Sequence, residues 1–266
     1  MEEANRLKDL YASKISLLIG LETENITAPD LDALEALLKS HTGRIDYLVG
    51  SVHHVNEIPI DFDFETYQMA LHHGQWATEH EAQESFLCKY FDAQLALLER
   101  FHPEVVGHFD LCRLYNPHLR FCDFPAAWER IERNILYVVR YGGLFEVNSA
   151  AFKKGWNTAY PGEDIVSVRP LLNGITAFNE LNFKQVILKH NGRFVLSDDS
   201  HGPHGVGLNY RRLAQYLDKL NITQLWYLRA SCTPNAAGRM IEQVKLEGDW
   251  RNHSFWQVNQ GESTEL

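Results

Sequence analysis

Five side chains that can bind a divalent metal each follow a short apolar run in this sequence. They are Glu22, His53, His108, Asp199 and His201. The apolar runs predict buried strands at 15–19, 47–49, 105–106 and 193–196. Because the carboxyl ends of parallel strands meet on one face, we expect these side chains to converge. Imidazole and carboxylate together suit Zn²⁺, Mn²⁺ or Fe²⁺, and Glu22 could bridge two ions.

Several polar residues close to these five in sequence could also contribute to a site, and each has an alternative interpretation. The stretch 197–201 runs directly into a glycine-rich loop, so a solvated turn is its alternative interpretation. Glu24 could support a metal ligand, and Asp110 could orient the imidazole of His108 by a hydrogen bond. His54 is more typical of a structural histidine. His204, in the glycine-rich loop, could line the mouth of a site or lie in solvent.

A phosphate-like substrate would require a basic side chain close to the predicted site. The basic residues nearest the strand ends are Arg113, Lys153, Lys154 and Arg169. A solvated surface position is an equally good interpretation of each. The sequence alone therefore leaves the choice of phosphate-binding residue open.

Helices alternate with the predicted strands along most of the chain. Apolar residues at helical spacing predict helices at 2–13, 65–73, 79–100, 124–141, 183–189 and 210–220. Thr27 and Asp30 have the spacing of a capping box and predict a further helix start. Strands are also predicted at 144–148 and 225–228, which gives about six in total. This alternation predicts an α/β fold with a mostly parallel sheet or barrel.

The overall composition is that of an ordinary globular protein. The chain has 266 residues, 45% hydrophobic and 23% charged, with a net charge of −10 and a pI of about 5.7. An acidic balance argues against nucleic-acid partners, and no apolar run approaches the length of a membrane span. Four cysteines without a CxxC pair and a polar N-terminal segment predict a cytoplasmic protein. The oligomeric state is left open.

Five motifs in order give the chain a family resemblance. They are Gly20-Leu21-Glu22, the stretch 50–55 containing His53-His54, Gly107-His108-Phe109-Asp110, Glu146-Val147-Asn148, and Ser197-Asp198-Asp199-Ser200-His201. This series resembles the histidinol-phosphatases of the PHP (polymerase and histidinol phosphatase) superfamily, and is most similar to the fungal type. The resemblance runs from about residue 1 to residue 228.

The resemblance implies a fold, a reaction and a set of residue roles. The fold is a distorted (β/α)7 TIM-like barrel that holds two or three metal ions. The reaction is hydrolysis of L-histidinol phosphate to L-histidinol and phosphate in histidine biosynthesis. The implied metal ligands are Glu22, His53, His108, Asp199 and His201. Of these, Asp199 and His201 could also assist proton transfer as catalytic residues. The implied substrate-binding residues are Arg113 and, by a looser match, Lys154. His204 is added to them from its place in the glycine-rich loop.

Two departures from the family pattern qualify these expectations. A strand carrying His-x-His opens the family pattern and is not found here, so we expect a barrel incomplete at its N-terminus with fewer bound metals. Residues 166–183 are expected to be an insertion, and the tail from Gly248 to be mobile. The whole chain is expected to form a single domain. The alternatives are a truncated, weak or inactive PHP-like protein, or a PHP phosphoesterase with another substrate.

Overall fold

In the computed structural model, which describes residues 2–166 and 186–258, short strands alternate with helices. The strands are β1 (Gly20–Thr23), β2 (Tyr47–Gly50), β3 (His54–Val55), β4 (Ile58–Pro59), β5 (Val105–Val106), β6 (Leu144–Asn148), β7 (Arg193–Ser197), β8 (Trp226–Ala230) and β9 (Ile241–Lys245). The helices are α1 (Glu2–Tyr11), α2 (Ala28–Ser40), α3 (Phe64–Leu71), α4 (Glu79–Phe101), α5 (Pro125–Tyr141), α6 (Ala150–Lys153), α7 (Glu163–Val166), α8 (Val186–Lys189), α9 (Tyr210–Lys219) and α10 (Ser254–Val258).

Five strands form one parallel sheet in the order β1-β2-β5-β6-β7. All five run in the same direction, so their carboxyl ends lie along one edge of the sheet. The predicted α/β class is therefore confirmed. Within the described residues, β1 and β7 are the edge strands, and the sheet has five parallel strands rather than the seven of the expected barrel.

The centre of this sheet is buried on both faces, as expected for parallel strands covered by helices. All five residues of β6 are buried. The long helices α4 and α5 pack against each other beside the sheet. Aromatic rings connect the layers, because Phe109 contacts both Phe91 of α4 and Phe145 of β6 at centroid distances of 5.7 and 5.8 Å. This packing fixes the sheet edge from which the polar side chains project.

Two predicted helix ends are confirmed by their capping geometry. The side chain of Thr27 accepts the backbone N–H of Asp30, and the carboxylate of Asp30 accepts the backbone N–H of Thr27. This reciprocal capping box begins α2. The second is the end of α5. Gly142 has a φ of 86° there and ends the helix in the left-handed conformation that glycine adopts most easily.

The predicted strand at 15–19 is wrong. Ile15 is 54% exposed, and the first strand begins only at Gly20. The segment is held at Ile19, whose backbone N–H donates to the carboxylate of Asp46 at 2.7 Å. A Cβ atom at Gly20 would overlap the ring of Tyr47, so glycine is what allows β1 to approach β2 there. The apolar residues at 15–19 alone could not show that the strand begins only after them.

The C-terminal region also differs from prediction. The expected strand at 225–228 corresponds to β8, but β8 pairs antiparallel with β9 in a separate two-stranded sheet. Trp250, in the tail expected to be mobile, is buried and donates its indole N–H to the carbonyl of Ile222 at 2.8 Å. Of the expected insertion at 166–183, only Val166 lies among the described residues, and Arg169 lies outside them. No helix in the described ranges is long and apolar enough to cross a membrane.

Candidate metal centre

Three predicted ligands from three neighbouring strands meet at the carboxyl edge of the sheet. Glu22 lies on β1, His53 follows β2 and His108 follows β5. Their ligand atoms all lie within 4.8 Å of one another. Nε2 of His108 is 3.3 Å from Oε1 of Glu22, and Nε2 of His53 is 3.6 Å from the same oxygen. The two Nε2 atoms are 3.1 Å apart.

This triangle has the dimensions of a divalent-metal site. A tetrahedral ion with ligand distances of about 2.0–2.1 Å separates its ligand atoms by about 3.3 Å, close to the observed 3.1, 3.3 and 3.6 Å. Nδ1 of His53 lies 2.6 Å from the carboxylate of Glu24, which favours the proton on Nδ1 and leaves Nε2 with its lone pair. Two imidazole nitrogens 3.1 Å apart repel unless a proton or a cation lies between them. The residues therefore fit a divalent cation.

Glu24 holds His53 in the orientation that the site requires. One carboxylate oxygen accepts the backbone N–H of His53 at 3.0 Å, and the other faces Nδ1 of the same residue. Nδ1 of His54 lies 3.3 Å from Glu24 as well, so the second histidine packs behind the site rather than within it. A carboxylate behind a ligand histidine fixes its tautomer and raises its basicity. These contacts therefore support the expectation that Glu24 assists a metal ligand.

The charges of the triad also favour a cation. Burial opposes ionisation of Glu22, but its hydrogen bond to His108 and the nearby imidazoles outweigh this and lower its pKa to about 2. Burial likewise opposes protonation of His108, but the hydrogen bond to Glu22 and the charges of Glu146, Glu22 and Asp199 raise its pKa. Glu22 is therefore ionised at neutral pH, and its negative charge can stabilise a bound cation.

Replacing Glu24 with Gln is expected to weaken metal binding about 10- to 100-fold, as for other residues behind metal-ligating histidines. The amide would present a donor to Nδ1 of His53, and the ring would lose its fixed tautomer. The measurement is the dissociation constant for Zn²⁺ in competition with a chromophoric chelator. Glu57→Gln is the matched control, because Glu57 is exposed on the nearby β3–β4 turn. Equal affinities in the two variants would contradict the role given to Glu24.

His108 is held by a buried carboxylate on the neighbouring strand. Glu146 of β6 accepts the backbone N–H of His108 at 2.6 Å and the side-chain amide of Asn148 at 3.0 Å. Burial raises the pKa of Glu146, although the charge of His108 and these hydrogen bonds act in the opposite direction. Glu146 and Asn148 are thus satisfied polar groups that support the end of β5.

The triad opens into a cavity of about 440 Å³. Its lining includes most of the other predicted site residues, namely Lys153, Lys154, Asp199, His201 and His204. Both lysines are exposed at the end of α6, and no carboxylate among the described residues pairs with them. The cavity thus combines a candidate metal centre with basic side chains that could bind an anion.

Asp199 and His201 line this cavity without joining the triad. Asp199 has a φ of 51°, a left-handed conformation that is uncommon for residues other than glycine and recurs at functional sites. The side chain of His201 is 89% exposed, and its Nδ1 lies 3.8 Å from Oδ1 of Asp199. Asp198 instead accepts the backbone N–H of Gly207 at 2.5 Å and so fixes the glycine-rich loop. Both aspartates line the cavity, but their side chains have different contacts.

Arg113 does not reach the cavity. Its guanidinium is buried between two carboxylates, with Asp110 at 2.6 Å and Asp164 at 2.8 Å. It also donates to the carbonyl of Leu119 at 3.3 Å and lies over the ring of Phe121. These contacts occupy its donors, so the structure corrects the expected contact between Arg113 and a substrate phosphate. The expected role of Asp110 is corrected too, because Asp110 binds Arg113 rather than His108.

The sequence interpretation missed two cavity residues. Asp61 lines the cavity from the segment after β4, and Tyr160 lines it from the segment after α6. Asp61 follows the apolar run Ile58-Pro59-Ile60, so the rule that identified the other strand-end ligands could have found it. Tyr160 carried no such signal, because tyrosines are common in protein cores.

The fold and the site together define an α/β protein with a candidate divalent-metal centre at the carboxyl ends of parallel strands. Residues 1–150 match the family described as the PHP domain. The chain therefore belongs to the PHP family.

Two fungal proteins named as histidinol-phosphatases are similar to this chain over most of its length. The chain is 40% identical over 253 residues to the "Probable histidinol-phosphatase" of Schizosaccharomyces pombe, covering 94% of this chain and 74% of that protein. It is 30% identical over 285 aligned positions to the histidinol-phosphatase of Saccharomyces cerevisiae, covering 96% of this chain and 77% of that protein. The chain thus falls among the histidinol-phosphatases of the PHP family, as the motifs predicted.

Two solved structures share the fold. A Listeria monocytogenes protein assigned as a histidinol phosphatase has a TM-score of 0.57 at 22% identity, over 79% of this chain and 73% of that chain. The histidinol phosphate phosphatase of Lactococcus lactis, solved with Zn, L-histidinol and phosphate, has a TM-score of 0.52 at 16% identity. That alignment covers 91% of this chain and 77% of that chain. At these identities the comparisons support the fold alone.

Proposed function

We propose that this chain is a metal-dependent histidinol-phosphatase that hydrolyses L-histidinol phosphate to L-histidinol and phosphate. The observation that carries the proposal is the meeting of Glu22, His53 and His108 in one cavity with two lysines that no described carboxylate pairs with. The sequence identity to histidinol-phosphatases extends over nearly the whole chain, which supports the same reaction.

Glu22, His53 and His108 would hold a divalent ion, with Zn²⁺, Mn²⁺ and Fe²⁺ as the candidates for this donor set. When bound, such an ion supplies positive charge that stabilises phosphate oxygens and lowers the pKa of water. Asp199 and His201 line the same cavity, so we propose that they complete the coordination of this ion or hold a second one.

The chain's own residues would bind the phosphate and move protons. Lys153 and Lys154 can donate hydrogen bonds to phosphate oxygens, and they take the role first predicted for Arg113. Water would attack phosphorus as the bond to the histidinol oxygen breaks, and the departing alkoxide requires a proton. His201 lies exposed within the cavity beside Asp199, and it would supply that proton if Asp199 alone of the two coordinates an ion. His204 lines the cavity and would contact the substrate from the glycine-rich loop.

Steady-state hydrolysis of a substrate panel tests this proposal. The panel contains L-histidinol phosphate, glycerol phosphate and a DNA end carrying a terminal phosphate. We expect kcat/KM for L-histidinol phosphate to exceed the other two at least about 100-fold, as expected where a site binds groups that its competitors lack. A preference for the DNA end, or no phosphate release from L-histidinol phosphate, would contradict the proposal. The single-domain organisation and the cytoplasmic location stay predictions.

A further inference from the structure

Asp61 is an acidic group in the cavity that the proposed reaction does not yet use. It is partly buried, and no described residue gives it a hydrogen bond or an ion pair. Of the other cavity carboxylates, Asp199 has His201 at 3.8 Å and is proposed as a metal ligand, and two more have close neighbours. Glu22 faces the two imidazoles, and Asp198 accepts the backbone N–H of Gly207. An unpaired carboxylate in a partly enclosed site favours a cationic partner.

A second unsatisfied polar group lines the same cavity. Tyr160 is 1% exposed, and its hydroxyl has no hydrogen-bond partner among the described residues. Burial is the main cause that raises the pKa of Tyr160, and the charge of Asp61 contributes in the same direction. The hydroxyl is therefore neutral, and Tyr160 belongs to the same cavity lining as Asp61. The hydroxyl itself is a buried polar group that no described residue satisfies.

The chain topology brings the two signs of charge into the cavity from different directions. Asp61 arrives from the segment that follows β2, whereas Lys153 and Lys154 lie at the end of α6, which follows β6. In the sheet, β5 lies between β2 and β6 and ends at His108 of the triad. A substrate that carries both a phosphate and a cation would match this distribution of charge.

We propose that Asp61 binds an ammonium group of the substrate and thereby selects phosphate esters of amino alcohols. The inference rests on the proposed function and assigns its specificity to one residue. An ionised carboxylate forms a charge-assisted hydrogen bond with an ammonium group, while a neutral alcohol ester offers no such partner. Asp61 is thus a specificity-determining residue, and the lysines bind the phosphate.

Calorimetric titration of the metal-loaded protein with L-histidinol and, separately, with inorganic phosphate tests this assignment. We expect Asp61→Asn to raise the Kd for L-histidinol about 10- to 100-fold, as for loss of a charged hydrogen bond. The Kd for phosphate should stay within about twofold, which also shows that the cavity is intact. Glu65→Gln is the matched control, because it removes the same charge from an exposed position four residues further along. It should change neither constant.

The outcomes separate this inference from the proposed function. An L-histidinol Kd that Asp61→Asn leaves unchanged, an equal loss of phosphate affinity, or a wild-type protein that does not bind L-histidinol would overturn the inference. A protein that binds L-histidinol through Asp61 but releases no phosphate from the ester would support the inference and contradict the proposed function.

Discussion

Replacing Glu22 with Gln is expected to lower phosphate release from L-histidinol phosphate at least about 1000-fold, since metal charge contributes several kcal/mol to such reactions. Oε1 of Glu22 lies within 3.3–3.6 Å of both imidazole nitrogens and supplies the negative charge of the triad. The amide has nearly the same shape but no charge, so the cation loses its strongest electrostatic partner. The measurement is initial-rate phosphate release together with metal content per chain.

Glu35→Gln provides a matched control for this substitution. Hydrogen bonds from Lys39 and Arg100 lower the pKa of Glu35 to about 2, as the imidazoles do for Glu22, but Glu35 lies on the surface of α2. Its replacement should leave activity within about twofold, because exposed ion pairs contribute little to stability. Full activity and full metal content in Glu22→Gln would show that the triad does not hold the catalytic ion.

Asp199→Asn is expected to lower the rate of hydrolysis about 100- to 1000-fold, because a metal ion that it coordinates would lose a negatively charged ligand. Asp199 lines the cavity, adopts a left-handed backbone conformation and contributes to the raised pKa of His108. Asn tolerates that conformation well, so the substitution should change the charge without adding backbone strain. The rate and the metal content are measured together.

Asp198→Asn is the matched control for Asp199→Asn. Asp198 accepts the backbone N–H of Gly207, and an Asn oxygen can accept the same hydrogen bond. Its replacement should therefore reduce activity by no more than about threefold, because the loop keeps its anchor. A larger loss at Asp198 than at Asp199 would reverse the assignment of the two aspartates.

The position of the triad could be predicted from sequence because parallel strands impose it. Glu22, His53 and His108 each follow an apolar run, and neighbouring parallel strands bring such positions together at one edge. The same rule placed Asp199 and His201 in the cavity. It could not place His201 relative to the triad, because the loop after β7 rather than the sheet sets the direction of that side chain.

The buried position of Arg113 could not be predicted from the sequence. A basic residue after Gly-His-x-Asp suggested a phosphate ligand, although the Asp of that motif, Asp110, is one of its two partners in the structure. Its partner Asp164 lies 51 residues away, and packing brings that carboxylate to 2.8 Å. Gly162 allows the close approach, because a Cβ there would overlap the guanidinium. Long-range ion pairs of this kind leave no local sequence pattern.

Short strands were the other source of error. The apolar run at 15–19 is typical of a strand, yet it precedes β1. Strand β9 was not predicted, because Ile241–Lys245 contains only two apolar residues and they do not alternate with polar ones. Asp61 was overlooked for a similar reason, since β3 and β4 have two residues each. In such short elements tertiary contacts, rather than local propensity, decide the structure.

The most direct test of a metal-dependent phosphatase is phosphate release from L-histidinol phosphate before chelation, after chelation and after metal is restored. We expect the chelated protein to lose activity at least about 1000-fold, and Zn²⁺, Mn²⁺ or Fe²⁺ to restore it at a minimum of one ion per chain. In Glu22→Gln the same metal addition should restore little. Undiminished activity in chelated protein that contains no metal would contradict the account.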